Sequence, residues 1–158
     1  MSETMQRDYI MRMIEQAIAG LAAIVLRAES GQFQQARSDL NAVCRNTVGL
    51  DLERVKKLTP DAVAELLASG GLLRFTRSII LAEVLLSDAE VQEKEENAPF
   101  PLANFVHAFC LIADSVSVLS HEDEARYRQK LIWLAERLEP FKDLPQLDVR
   151  YRRFLESA

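Results

Sequence analysis

Cysteine is nearly absent: Cys44 and Cys110 are the only two in 158 residues, and they stand far apart in the chain. That excludes a disulfide framework and fits two free, buried thiols in a reducing cytoplasm. No uninterrupted run of about 18 apolar residues is present either. The apolar stretch around Leu81 is broken by Arg74, Arg77 and Glu83, which marks a buried helix of a soluble protein rather than a membrane span. The start, MSETMQRDYIM, has no basic region followed by an apolar core and a cleavage site, so secretion is not expected. Positive charge is also short. A formal net charge of -5 removes the electrostatic footprint of a nucleic-acid binder or of a protein drawn to anionic lipid.

Catalytic and cofactor motifs are missing as well. The pair Gly70-Gly71 has neither the spacing of a phosphate loop nor a strand before it, and reads as a corner between helices. Strand-like alternation is scarce. Hydrophobic residues at 49% and charged residues at 27% exclude a disordered chain. At this length about 70% of the unfolded surface can be buried, so residues 1–158 are expected to form one helical domain without metal or disulfide staples.

What is there is helical periodicity. Leu72 to Leu86, LLRFTRSIILAEVLL, is apolar on every side and predicts a central helix packed by several neighbours. A first helix is expected from Arg7 or Asp8 to Ala28, with Ile10, Ile14, Ala17, Leu21, Ile24 and Val25 buried, and with a close crossing where Ala17, Ala19, Gly20, Ala22 and Ala23 keep it slim. Ser30-Gly31 breaks it, and a second helix follows with Phe33, Ala36, Leu40 and Val43 inward. Gly49 caps that helix. A short turn of helix around Leu50, Leu52 and Val55 ends at Lys56-Lys57, and Thr59-Pro60-Asp61 opens another by cap, proline and first-turn acid.

After Leu86 the polar stretch SDAEVQEKEENAPFP reads as a hinge or loop, closed by Pro99 and Pro101. Leu102 to Leu119 is expected as one helix with the stripe Leu102, Phe105, Phe109, Ile112, Val116 and Leu119. Ser120 then caps a helix with Glu122, Asp123 and Glu124 in its first turn, Arg137 near its end, and Ala125, Leu131, Leu134 and Leu138 inward. Pro140 and Pro145 bracket a turn before a last helix that covers the end of the stack with Leu147, Tyr151, Phe154 and Leu155. Seven to eight helices and no strand are expected.

Gly31, Phe33, Ala36 and Leu40 resemble the start of the second helix in a tetratricopeptide hairpin, whereas Gly20, Ile24 and Arg27 depart from that pattern. The opening Asp8, Tyr9, Ile10, Arg12, Ile14, Glu15 and Gln16 also resembles an uncharacterised bacterial family of small, all-helical, tetratricopeptide-like proteins. The resemblance implies a right-handed stack of helical hairpins and no activity.

His107, Cys110 and Asp114 share a helical face and are the one grouping with metal chemistry, with Cys44 or His121 as the fourth ligand a structural zinc would need. The incomplete set favours a buried cysteine beside a histidine, and the same gap argues against a Cys-His nucleophile. Arg150, Arg152 and Arg153 beside Tyr151 and Phe154, with Arg137 and Lys142 before them, read as the outer face of an amphipathic helix. Met5, Met11 and Met13 read as gap-filling core residues.

The expectation is therefore a cytoplasmic, all-α, non-enzymatic interaction module that binds a protein segment or its own copy as a dimer. No cofactor, metal, nucleic acid or membrane is implied. Ala103, Leu111 and Val118, opposite the main stripe of their helix, are the candidate interface. The alternative is a small-molecule or metal-binding protein with its site near His107 and Asp114.

Overall fold

The computed structural model describes residues 3–69 and 73–157. Among them are eight α-helices and no strand: α1 (Glu3–Ala28), α2 (Phe33–Thr47), α3 (Leu52–Lys57), α4 (Pro60–Ala68), α5 (Leu73–Lys94), α6 (Leu102–Ser115), α7 (His121–Leu138) and α8 (Pro145–Ser157). The all-helical expectation holds. Leu72, the Gly70-Gly71 corner and the packing of Met5 lie outside the described residues.

Helix α5 is the hub. Every residue from Ser78 to Leu85 is buried, as expected of a helix apolar all round. It packs most extensively on α6, then on α1 and α2, so helices distant in sequence close on one core. Helix α6 in turn meets α7, α8 and the short α3 and α4. The hairpin of α1 and α2 turns at Gly31, whose φ of +88° lies in the left-handed region open to glycine. Asp51 accepts from the Arg54 N–H at 3.2 Å and Thr59 Oγ1 from the Ala62 N–H at 3.2 Å, the caps of α3 and α4.

Several boundaries and faces differ from expectation. Helix α1 starts at Glu3 rather than near Arg7, because Glu, Met, Gln and Arg offer the backbone no reason to stop. The polar stretch after Leu86 is not a loop: α5 runs on to Lys94, with Asp88, Ala89 and Val91 buried. Its inward residues recur at helical spacing, and the one acid among them, Asp88, is neutralised by Lys56 and accepts from Asn104 Nδ2 at 2.8 Å.

Helix α6 ends at Ser115 and tightens into a 3₁₀ turn, Val116–Val118, where two β-branched residues and two serines weaken the α-helix. Ser120 makes no side-chain cap; its hydroxyl bonds the Asp123 carboxylate. On α7 the inward residue of the first turns is Tyr127, whereas Ala125 is exposed. A large ring has far more apolar area to remove from water than a methyl, so it sets the rotation. On α8, Leu147 and Tyr151 are buried and Phe154 meets Phe109 edge-on at 5.7 Å, but Leu155 is 55% exposed, one position beyond the seam.

Candidate interaction surface

Helix α1 buries Ile14, Leu21, Ile24, Val25 and Ala28 against α2 and α5, with Ile10, Met11 and Ala17 half-buried at the seam. Its opposite side is open. Glu15, Ala19, Ala22, Ala23 and Leu26 recur there at steps of three and four, and Leu26 is 65% exposed. The expected close crossing at Gly20 does not occur: a Cβ built there meets nothing within 4 Å. The small residues thus make a smooth outer face instead of an inner contact. The segment Tyr9–Ala28 also has a mean hydropathy of 1.5, enough by length and composition to cross a membrane, although only 22% of its most apolar stretch is buried. That combination is uncommon on a globular surface, where contiguous apolar patches mark interaction sites.

The grouping on α6 is dispersed by its neighbours. His107 is buried, its Nδ1 has no hydrogen-bond partner among the described residues, and burial holds its pKa below the ordinary histidine value against a smaller, opposing influence of the Leu58 backbone. Cys110 Sγ donates to the Gln146 carbonyl at 3.8 Å, and burial pushes the thiol up to about 12. Asp114 instead faces Arg150, whose guanidinium holds it at 3.1 Å and reaches Asp61 at 3.0 Å. Among the described residues no three His, Cys, Asp or Glu side chains are placed to hold a metal ion. Cys44 is buried on α2, raised by burial to about 12, and His121 is exposed at the start of α7.

Arg150 also corrects the reading of the basic tail. It does not lie outward but keeps 19% exposure while it ties α8 to α6 and α4. Arg152 pairs with Asp148 at 2.8 Å, and Arg137 with Glu93 at 3.1 Å while stacking 4.2 Å over the Trp133 ring.

The three interface candidates on α6 do not form one open face. Leu111 is buried within the chain, Ala103 is half-buried, and Val118, in the 3₁₀ turn, is 50% exposed. The layer that covers the second side of α6 is intramolecular: α8 on one flank, α3 and α4 on another.

A groove of about 530 Å³ runs between α5 and α7, floored by Phe105 and edged by Glu83, Glu90, Lys130 and Trp133. Its charges are largely answered within the chain, since Lys130 pairs with the buried Glu83 and Arg137 with Glu93. Burial, and after it the charge of Glu83, raise the Tyr127 phenol above its ordinary range, which leaves Tyr127 a protonated ring. Neither His107 nor Asp114 lines this groove.

Nothing in the local spacing of α1 could separate its open face from an inner crossing; which helices became its neighbours decided that. No protein-family model, no curated protein and no solved structure matches this chain.

Proposed function

We propose that the protein is a non-enzymatic helical interaction module and that the outer face of α1 is its working surface. One observation carries the reading: a segment, Tyr9–Ala28, of mean hydropathy 1.5 that packs chiefly on α5 and α2 and leaves Ala19, Ala22, Ala23 and Leu26 to solvent. The tetratricopeptide-like expectation, a right-handed stack of helical hairpins resembling an uncharacterised bacterial family of small all-helical proteins, applies most directly to the hairpin of α1 and α2, whose turn rests on Gly31. Free, buried thiols at Cys44 and Cys110 suit a cytoplasmic location.

Native mass spectrometry of the gently purified protein tests the reading. Wild type is expected to carry an additional polypeptide, its own copy or another, and Ala23→Glu to lose it with an unchanged melting temperature, because Ala23 is exposed. A wild-type chain that flies alone, with the substitution changing nothing, would contradict it.

A further inference from the structure

We propose that the occupant of the α1 face is a second copy of this chain, docked antiparallel with the twofold axis near Leu21; the inference rests on the interaction-surface reading above. The charges on the helix are complementary to each other end to end. Arg12 and Glu15 stand toward the N-terminal side of the small-residue segment and Arg27 toward its C-terminal side, all exposed, while Glu29 just beyond is already held by Lys94 of its own chain at 2.9 Å. An antiparallel pair centred on Leu21 sets Glu15 opposite Arg27 of the second copy, twice by symmetry, and brings Arg12 to the Ser30 end of the helix. Ala19 then meets Ala23, and Gln16 lies over Leu26. A parallel pair would set arginine on arginine and glutamate on glutamate. Self-complementarity of this kind is required of an isologous contact, in which one patch must match itself, and nothing requires it for a foreign partner.

The sterics agree. Alanines and Gly20 let two helix axes approach toward the short end of the 8–10 Å packing range. Arg27 holds Asp39 at 3.0 Å yet keeps 54% side-chain exposure, and a guanidinium has five donors, so it can serve both carboxylates. A lipid surface fits less well, since Arg12, Glu15, Gln16 and Arg27 on the same side would have to leave water.

The test is light scattering and native mass spectrometry on wild type, Glu15→Arg, Arg27→Glu, the double variant Glu15→Arg/Arg27→Glu and Ala23→Glu, with circular dichroism confirming that each folds. Wild type is expected to be a dimer at tens of micromolar. Each single charge reversal should weaken it roughly tenfold, the double variant should restore it, and a mixture of the two single variants should form heterodimers. Ala23→Glu should be a folded monomer. A foreign chain on wild type that Ala23→Glu releases would overturn the second copy while sparing the interaction surface. A lone wild-type monomer indifferent to Ala23→Glu would overturn both, and a dimer indifferent to all these substitutions would place the contact elsewhere and overturn the antiparallel α1 pairing.

Discussion

Lys56 on α3 pairs with Asp88 on α5, a carboxylate only 2% exposed, and Asn104 on α6 donates to the same carboxylate at 2.8 Å and to the Leu85 carbonyl at 2.9 Å. Burial lowers the Lys56 pKa, but hydrogen bonds and charge from Asp88 and Glu53 more than offset it, so the net shift is upward. Three helices therefore meet on one buried charge. Lys56→Met should cost about 3 kcal/mol, the low end for a broken buried pair because the lysine keeps some exposure. Adding Asp88→Asn should recover part of that loss, since the buried charge goes while Asn104 keeps an acceptor. Urea unfolding of the three proteins checks both signs.

Core substitutions separate the buried from the half-buried. Leu81 is fully buried at the centre of α5, so Leu81→Ala should cost about 2–5 kcal/mol. Phe33 is only half-buried against the core, and Phe33→Ala should fall below the ~3–5 kcal/mol of a fully enclosed ring. Leu111→Glu should prevent folding, because the side chain is enclosed by its own chain. Melting temperatures order the three.

His107 gives the fold an acid sensitivity. Its folded pKa lies below the unfolded value, so the unfolded state binds the proton more readily and stability is lost as pH falls through 6.5 toward the folded pKa. The slope is at most about 1.4 kcal/mol per pH unit for one proton. His107→Gln should flatten the dependence of the melting temperature on pH between 7 and 5, measured against wild type.

The thiols should be inert. With both pKa values raised to about 12 by burial, Cys44 and Cys110 should resist an aromatic disulfide reagent in the native state and both react in denaturant. Protein purified without added metal should hold no stoichiometric zinc. Rapid native labelling would show that α2 or α6 opens, and tightly bound zinc that another residue completes a ligand set with His107 and Cys110.

Periodicity carried the inner faces. Ile14, Leu21 and Ile24 on α1, Ala36 and Leu40 on α2, and Leu131, Leu134 and Leu138 on α7 are buried where steps of three and four place them. It failed where a polar residue sits inside, because no composition rule reveals that Asp88 will meet Lys56 from 32 positions away. It failed again where burial depends on which helix becomes the neighbour. Ala19, Gly20, Ala22 and Ala23 suit an internal crossing and an external one equally, and Leu111 looked free until α8, α3 and α4 closed around α6.

The central claim is the antiparallel meeting of two α1 helices, and pulsed electron paramagnetic resonance tests it most directly. A spin label is placed on a cysteine introduced at Ala22 or at Tyr9, with the buried native thiols silent. The account predicts a short intermolecular distance, about 10–20 Å, from Ala22 beside the axis, where two labelled helices lie one packing distance apart. From Tyr9 it predicts about 36 Å or more, the rise over the 24 positions separating the two labels along the helices. Short distances at both positions would show a parallel pair, and no intermolecular distance at either would contradict the account altogether.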